Sequence, residues 1–155
     1  MMGARPQGLA FHMRYGHFDE KELASKDGKP SPYPHVVQDE LLELLNYLRN
    51  RWGRPIVVNS AYRSPEHNKA VGGVSNSFHV QGLAADIRPL KGESMTMFRA
   101  LCDACNPFGG VGFYDTFVHV DCRGTRARWD ERTRGRSGLQ PSFWRRPVGR
   151  SSLGR

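Results

Sequence analysis

The apolar residues between positions 36 and 52 recur at intervals of three and four, which is the spacing of one buried helix face. This face comprises positions 37, 41, 44, 45, 48 and 52. Gly53 and Pro55 follow immediately and predict the end of the helix. A second helix is expected to begin after Ser94, which can cap it, and to end at Asn106. Its apolar face would comprise Met97, Phe98, Leu101 and Cys105.

Four short runs are rich in β-branched or aromatic residues and are typical of strands. They lie at 56–60, 83–89, 109–114 and 117–122. Only Asp115 and Thr116 separate the last two runs, a gap that suits a tight turn and predicts a hairpin. The order helix, strand, strand, helix, hairpin indicates an α+β fold with a small antiparallel sheet flanked by helices.

The remaining stretches follow neither period. Residues 1–35 are expected to be an irregular segment that packs on the domain, with one short helix near Asp19. Residues 61–77 form a long polar loop, and loops of that length are often functional. Beyond Gly124 the chain offers no continuous apolar face, so an extended or partly disordered tail is expected. The predicted division is an N-terminal segment at 1–35, a core at 36–129 and a tail at 130–155.

The formal charge of +8 is concentrated at one end of the chain. Residues 1–122 hold 13 Lys and Arg against 13 Asp and Glu, whereas residues 123–155 hold ten Arg against two acidic residues. Tryptophan and phenylalanine lie between these arginines, so a nucleic-acid-binding role is one hypothesis. It accounts for the tail alone and is the least favoured of the functions considered.

Cysteine usage and the N-terminal sequence bear on the compartment. Cys102, Cys105 and Cys122 cannot all form intrachain disulfides, which favours a reducing compartment. Cys102 and Cys105 share a predicted helix, where we expect core packing rather than a metal or redox site. The N-terminal residues lack the apolar stretch of a signal peptide, and no run reaches the roughly 20 apolar residues of a membrane helix. We expect a protein that is cytoplasmic as made.

His79, Asp86 and His119 are the candidate metal ligands. Hydrolytic zinc sites use three protein ligands, commonly imidazoles and a carboxylate, and leave a fourth position for water. His79 follows the long loop, Asp86 lies in a predicted strand and His119 lies in the predicted hairpin. Each residue alone is more often an ordinary loop, edge or core residue. Asp86, however, has apolar neighbours in its strand, where a buried carboxylate needs a cation.

Residues 77–86 read SFHVQGLAAD and resemble the S-x-H-x-x-G-x-A-x-D ligand motif of the zinc D-Ala-D-Ala carboxypeptidase-like metallopeptidases. Residues 60–64 resemble the Y-R-S segment of that family, and residues 117–121 resemble the strand of its third ligand. The resemblance covers about residues 36–129. It implies the fold shared by the Hedgehog signalling domain, D-Ala-D-Ala peptidases and phage endolysins, and Zn²⁺ bound by His79, Asp86 and His119.

The resemblance also implies roles for further residues. Arg63 would stabilise the negative charge that develops on the peptide carbonyl oxygen, a task that suits a fixed guanidinium. Ser77 would hydrogen-bond the substrate, with a loop-capping hydroxyl as the alternative. Better-known members have an acidic residue three positions before the last histidine, where this chain has Thr116. Asp121 shares a strand face with His119 and is the first candidate for general base or for partner of that histidine, and Asp115 is the second.

The expected function is zinc-dependent hydrolysis of a peptide bond in peptidoglycan stem peptides or crosslinks, of the D-Ala-D-Ala carboxypeptidase or endopeptidase type. The arginine-rich tail would favour anionic wall polymers. Access to the wall would follow release of the protein, as for a phage or prophage endolysin. A zinc-binding wall-recognition module without turnover is the alternative, because the sequence leaves the general base open.

Overall fold

A computed structural model describes residues 14–133. In chain order, the strands are β1 (Arg14–Tyr15), β2 (Phe18–Asp19), β3 (Ile56–Ser60), β4 (Ala84–Pro89), β5 (Gly110–Phe113), β6 (Val118–Asp121) and β7 (Ala127–Asp130). The helices are α1 (Glu20–Leu23), α2 (Asp39–Trp52), α3 (Pro65–Ala70) and α4 (Met95–Cys105). Helices and strands occur together in one unit, so the predicted α+β class is confirmed.

The longest helix, α2, follows the predicted apolar spacing. Leu41, Leu45 and Leu48 are fully buried, and Trp52 closes the same face against Phe98 of α4 with ring centroids 5.1 Å apart. Gly53 ends the helix at φ 75°, a left-handed conformation that favours glycine, and its N–H donates to the carbonyl oxygen of Arg49.

The buried face of α4 differs from the prediction. Ser94 caps the helix by accepting from the Met97 N–H, as expected. Met97 itself is 61% exposed, whereas Phe98 and Cys102, four residues apart, are fully buried. The face that contacts the sheet is therefore turned toward the Phe98–Cys102 row. Cys102, Cys105 and Cys122 are all free thiols, and burial raises the pKa of Cys102, which agrees with a packing role for it.

The main sheet has the strand order β3-β4-β6-β5-β7. The β3–β4, β4–β6 and β5–β6 pairs are antiparallel, but β7 lies parallel to β5, so the sheet is mixed rather than wholly antiparallel. Strand β7 falls where a tail without regular structure was predicted. It forms because Arg128 pairs with Asp103 and donates to the carbonyl oxygens at the end of α4, which ties a polar segment to the core.

The two faces of this sheet have different compositions. One face carries apolar residues such as Ile87, Val120 and Val111, and α4 packs against β4, β5 and β6. The opposite face carries Asp86 and His119, which are direct partners in the β4–β6 register. Residues alternate between faces along a strand, so the runs that build the core also present polar side chains on the other side.

A β-bulge near the end of β3 changes which face of the sheet its last residue occupies. Val58 pairs with Ile87 and Ser60 pairs with Asp86, so Asn59 is an extra residue between them. In a regular strand Ser60 would share the apolar face of Val58. The bulge instead turns Ser60 to the face of Asp86.

Residues 14–35 were predicted to be irregular apart from one short helix, but they also contain the hairpin of β1 and β2. Helix α1 has a capping box in which Asp19 and Glu22 satisfy each other's backbone N–H groups. The chain after α1 lies along residues 62–64. The Tyr62 N–H donates to the Leu23 carbonyl, and the Ser64 N–H donates to the Ser25 hydroxyl oxygen. The N-terminal segment therefore holds the loop that carries Arg63.

The loop at 61–77 was expected to lack regular structure, but it contains helix α3. Ser64 caps this helix by accepting from the His67 N–H, and Pro65 occupies its first position. A serine followed by proline is a recognised helix start, so the signal was present in the sequence. No helix within residues 14–133 has the length and apolar character needed to cross a membrane.

Asp27 generates a prediction about pH. Its carboxylate accepts from the Ser64 hydroxyl at 2.5 Å and from the Ser25 hydroxyl at 2.7 Å, and these bonds, led by that of Ser64, lower the pKa of Asp27 to about 2. The folded state therefore binds this proton less tightly than the unfolded state. The stabilisation is complete above the ordinary aspartate pKa of about 4 and is lost as the pH falls toward 2.

We expect Asp27→Asn to lower the midpoint of thermal unfolding at pH 7 and to approach the wild-type midpoint near pH 2. Circular dichroism melts across this range measure the difference. Glu43→Gln, which removes an exposed carboxylate from the middle of α2, is the control. A difference between Asp27→Asn and wild type that stays constant from pH 7 to pH 2 would refute this account.

Candidate metal centre

Three side chains from two strands and one turn converge on a single point. His79 lies in the turn before β4, Asp86 on β4 and His119 on β6, and one donor atom from each lies within 4.8 Å of the other two. Asp86 Oδ1 is 3.3 Å from His79 Nε2 and 3.0 Å from His119 Nδ1. The structure therefore brings together the three residues that the sequence proposed as metal ligands.

The orientation of the His79 ring is fixed by a hydrogen bond on the side away from Asp86. Its Nδ1 lies 2.8 Å from the carbonyl oxygen of Ala61, and His79 is 4% exposed. A carbonyl oxygen only accepts, so Nδ1 carries the proton and the lone pair of a neutral ring is on Nε2. This lone pair faces the Asp86 carboxylate at 3.3 Å. Two acceptors facing each other need a cation or a proton between them.

His119 lies between two carboxylates. Its Nδ1 is 3.0 Å from Asp86 Oδ1 and its Nε2 is 2.8 Å from Asp121 Oδ2. Burial alone would lower the pKa of His119, but the hydrogen bonds and charges of Asp121 and Asp86 raise it to about 9. Positive charge is thus strongly favoured at this position.

The donor set fits a zinc ion. Tetrahedral Zn²⁺ with bonds of roughly 2.0–2.1 Å has ligand atoms about 3.3 Å apart, close to the two donor separations around Asp86 Oδ1. Two imidazoles and one carboxylate form a set known from hydrolytic zinc sites. Burial alone would raise the pKa of Asp86, but its contacts with His119 and His79 hold it well below its usual range. Asp86 is therefore ionised and could serve as the anionic ligand of such a site.

Asp121 contacts His119 on the side of the ring that faces away from Asp86. It is fully buried, and its Oδ2 contacts the His119 nitrogen opposite the one that faces Asp86. Its oxygens also accept from the Gly110 N–H at 3.0 Å and from the Arg123 guanidinium at 2.9 and 2.8 Å. Burial would raise the pKa of Asp121, but the bonds from His119 and Arg123 hold it low. Asp121 is therefore an ionised partner of His119 on the side remote from Asp86.

Two glycines of β5 make room for this arrangement. A Cβ at Gly110 would lie 2.4 Å from the Asp121 carboxylate, and a Cβ at Gly112 would lie 2.3 Å from the Trp129 indole. Because no side chain stands at these positions, Trp129 can lie across β5 and reach His119, with ring centroids 5.2 Å apart. The glycines thus allow close packing around the His119 ring.

Arg123 links Asp121 to the aromatic side chains. Its guanidinium carbon lies 4.8 Å from the Phe78 ring centroid and 5.2 Å from that of Trp129, while its nitrogens pair with both oxygens of Asp121. Stacking and bidentate pairing together fix the plane of a guanidinium. Arg123 therefore fixes the carboxylate that in turn fixes His119.

The remaining predicted site residues have the following contacts. Arg63 Nη2 is 3.5 Å from Asp86 Oδ2. The two histidines contact the other oxygen, Oδ1. Ser77 is buried, and its hydroxyl oxygen accepts from the His79 N–H at 3.1 Å, which is the loop-capping arrangement. Asp115 lies in the exposed turn between β5 and β6, where its carboxylate accepts from the N–H and the hydroxyl of Thr133.

Several residues of the site were not found by the sequence analysis. Arg123 lies two residues after Asp121, a spacing that could have suggested a shared side. Glycines at alternate positions 110 and 112 of a predicted strand are a known sign of close approach by another group. The Ala61 carbonyl, which fixes His79, had no signal because any residue supplies one.

Residues 12–121 match the sequence model of a family described as Peptidase M15. The match spans well over half of the 155 residues and includes all three candidate ligands. It confirms the predicted resemblance to the D-Ala-D-Ala carboxypeptidase-like metallopeptidases. No curated protein matches the chain significantly.

The metal content of the purified protein tests the three candidate ligands directly. We expect about one zinc per chain by elemental analysis, with a higher unfolding midpoint than the chelator-treated protein, because a metal held only by the folded state stabilises it. His79→Ala or Asp86→Ala should lose the metal. His17→Ala, which removes an exposed histidine outside the cluster of candidate ligands, should keep the metal. Equal zinc content in all four proteins would contradict the assignment.

The close packing of Trp129 on Gly112 can be tested by substitution. Gly112→Ala places a methyl group against the Trp129 indole, so we expect a loss of about 1–3 kcal/mol in the free energy of unfolding. Adding Trp129→Phe removes the clashing atoms and should restore part of this loss. Denaturant melts of the single and double variants measure the coupling. Additive losses would show that the two residues do not compete for the same space.

Proposed function

This chain belongs to the peptidase M15 family of metallopeptidases, and we propose that it is a zinc-dependent peptidase that hydrolyses peptide bonds in peptidoglycan stem peptides or crosslinks. The observation that carries the proposal is the convergence of His79, Asp86 and His119, with acceptor atoms that face one another. A D-Ala-D-Ala carboxypeptidase and an endopeptidase of the endolysin type are the two forms of this activity that we propose.

The ligands define which atoms would hold the metal. These are His79 Nε2, Asp86 Oδ1 and His119 Nδ1. When bound, zinc would supply a Lewis acid that polarises the peptide carbonyl and activates water. The Ala61 carbonyl and the Asp121 carboxylate orient the two imidazoles so that these nitrogens face the same point.

Arg63 is the cation that we propose to act on the substrate. Its guanidinium lies beside Asp86, with 16% of the side chain exposed. A fixed positive charge at this distance from the ligands would stabilise the negative charge that develops on a carbonyl oxygen.

We assign Asp121 a positioning role. Its oxygens are occupied by His119, Arg123 and the Gly110 N–H, which supports action through the His119 ring rather than on the substrate. Ser77 is proposed to cap the turn of His79, the alternative considered for its hydroxyl. Asp115 is bonded to Thr133 and remains the second candidate for general base.

Access to the cell wall and the role of the arginines are also proposals. Arg128 and Arg132 form ion pairs with Asp103 and Asp130, so these charges stabilise the fold. We propose that arginines beyond residue 133, which lie outside the described residues, attract anionic wall polymers. The wall would be reached after release of the protein, as for a phage or prophage enzyme.

A zinc-binding wall-recognition module without turnover is the second candidate. The engagement of Asp121 and Asp115 with other groups favours it, because each is one of the two carboxylates considered as base. The same assay separates the two candidates.

We expect the purified zinc protein to release new amine termini or free D-Ala from peptidoglycan, as detected by mass spectrometry of muropeptides. Asp121→Asn should lower metal affinity or activity by roughly 10–100-fold, since the amide is a weaker partner for His119. Asp115→Asn should abolish product only if Asp115 is the base. Absence of product from the zinc-loaded wild type would favour the recognition module.

A further inference from the structure

We infer that Asn68 is a positioning residue that holds Arg63 against the ligand Asp86 and, through the same side chain, fixes the turn that carries His79. Asn68 lies on α3, whose other residues are mostly exposed, yet it is 2% exposed. A buried amide requires partners for its donor and its acceptor. The identity of those partners carries the argument, and the catalytic consequence rests on the proposed function.

The acceptor of Asn68 contacts Arg63. Arg63 Nη1 donates to Asn68 Oδ1 at 3.1 Å, and Arg63 Nε donates to the Ser60 hydroxyl at 3.3 Å. These two bonds fix the guanidinium plane and direct Nη2 at Asp86 Oδ2, 3.5 Å away. The β3 bulge contributes as well, because it places Ser60 on this face.

The contact with Arg63 determines how Asp86 meets its other partners. Asp86 Oδ1 faces both histidines, whereas Oδ2 faces the Arg63 guanidinium. A carboxylate whose second oxygen is paired in this way presents one oxygen to a metal. Without Arg63 in place, both oxygens would be available to the same cation. Asn68 therefore influences how Asp86 would bind a metal indirectly, by holding Arg63.

The donor of Asn68 contacts the turn before β4. Asn68 Nδ2 donates to the Val74 carbonyl at 2.7 Å, and the Ser77 N–H donates to the same oxygen at 3.1 Å. The Ser77 hydroxyl then accepts from the His79 N–H. Gly73 packs directly on Asn68, since a Cβ there would lie 2.1 Å from Asn68 Oδ1. One amide thus connects Arg63 with the turn of His79.

The test uses Co²⁺ as the probe, because Co²⁺ occupies zinc sites and its visible spectrum reports coordination number. We expect Asn68→Ala to bind Co²⁺ about tenfold or more weakly than wild type in competition with a chelator. Its visible absorption should weaken, as Asp86 becomes able to bind through both oxygens. Asn76→Ala, an exposed position in the same loop, is the matched control and should behave as wild type.

Two further variants keep the inference testable if Asn68→Ala does not fold. Asn68→Asp retains an oxygen for Arg63 but loses the donor to Val74. Its Co²⁺ spectrum should stay close to that of wild type, because Arg63 still pairs with Asp86, whereas its Co²⁺ affinity should fall, because the turn of His79 is no longer fixed. Arg63→Lys loses the planar fork and should reproduce the weakened absorption. An unchanged spectrum in Arg63→Lys, or an unchanged Co²⁺ affinity in Asn68→Asp, would overturn the inference whether or not Asn68→Ala folds. Equal effects of Asn68→Ala and Asn76→Ala would overturn it as well.

Kinetics supply the second readout where the wild type hydrolyses peptidoglycan peptides. We expect Asn68→Ala to lower kcat with little change in KM, because a displaced Arg63 loses an interaction made with developing charge. A rise in KM alone would oppose the inference. If the wild type hydrolyses nothing, the proposed function fails, while the Co²⁺ measurements still decide the role of Asn68.

Discussion

One buried carboxylate, that of Asp86, needs positively charged partners, and this need determines which side chains surround it on the polar face of the sheet. Asp86 lies in strand β4 between the buried residues Ala85 and Ile87. His79 and His119 contact one of its oxygens, and Arg63 contacts the other. Removing an ionised group from water is costly unless opposite charges and hydrogen bonds replace the lost hydration. The surrounding elements supply these partners, and a divalent cation bound by the same oxygen would strengthen the arrangement.

The partners reach Asp86 through features of the backbone. The bulge in β3 turns Ser60 toward Arg63, and the glycines of β5 allow Asp121 and Trp129 to approach His119. The N-terminal segment holds residues 62–64 by hydrogen bonds from a separate part of the chain. Each candidate ligand is thus oriented by a contact on its far side, as the ligands of protein metal sites commonly are.

The sequence predicted the elements with strong periodicity and the residues with distinctive chemistry. Helix α2 and strand β3 were predicted from short patterns, and the structure confirms them. Short patterns also singled out His79, Asp86 and His119, which the structure brings together and whose role as metal ligands stays a prediction. Strand β7 was missed because its stability comes from Arg128, whose partners lie about 20 or more residues away in sequence. Helix α3 was missed because its residues are mostly polar and show no apolar period, although Ser64 and Pro65 mark its start. The roles of Arg123 and Asn68 depend on which side chains meet across the fold, and this information is absent from local sequence.

The arginines around β7 have a consequence for assembly. Within residues 14–133, strand β7 is an edge strand of the sheet, and unpaired backbone at a sheet edge can recruit a strand from another molecule. Arg126 lies immediately before this strand with 39% of its side chain exposed, whereas Arg128 and Arg132 are largely buried in ion pairs. A charged side chain at a sheet edge opposes that kind of association. At the other end, α1 contacts β3 and shields it. The exposed charge of Arg126 therefore opposes the addition of another molecule's strand beside β7.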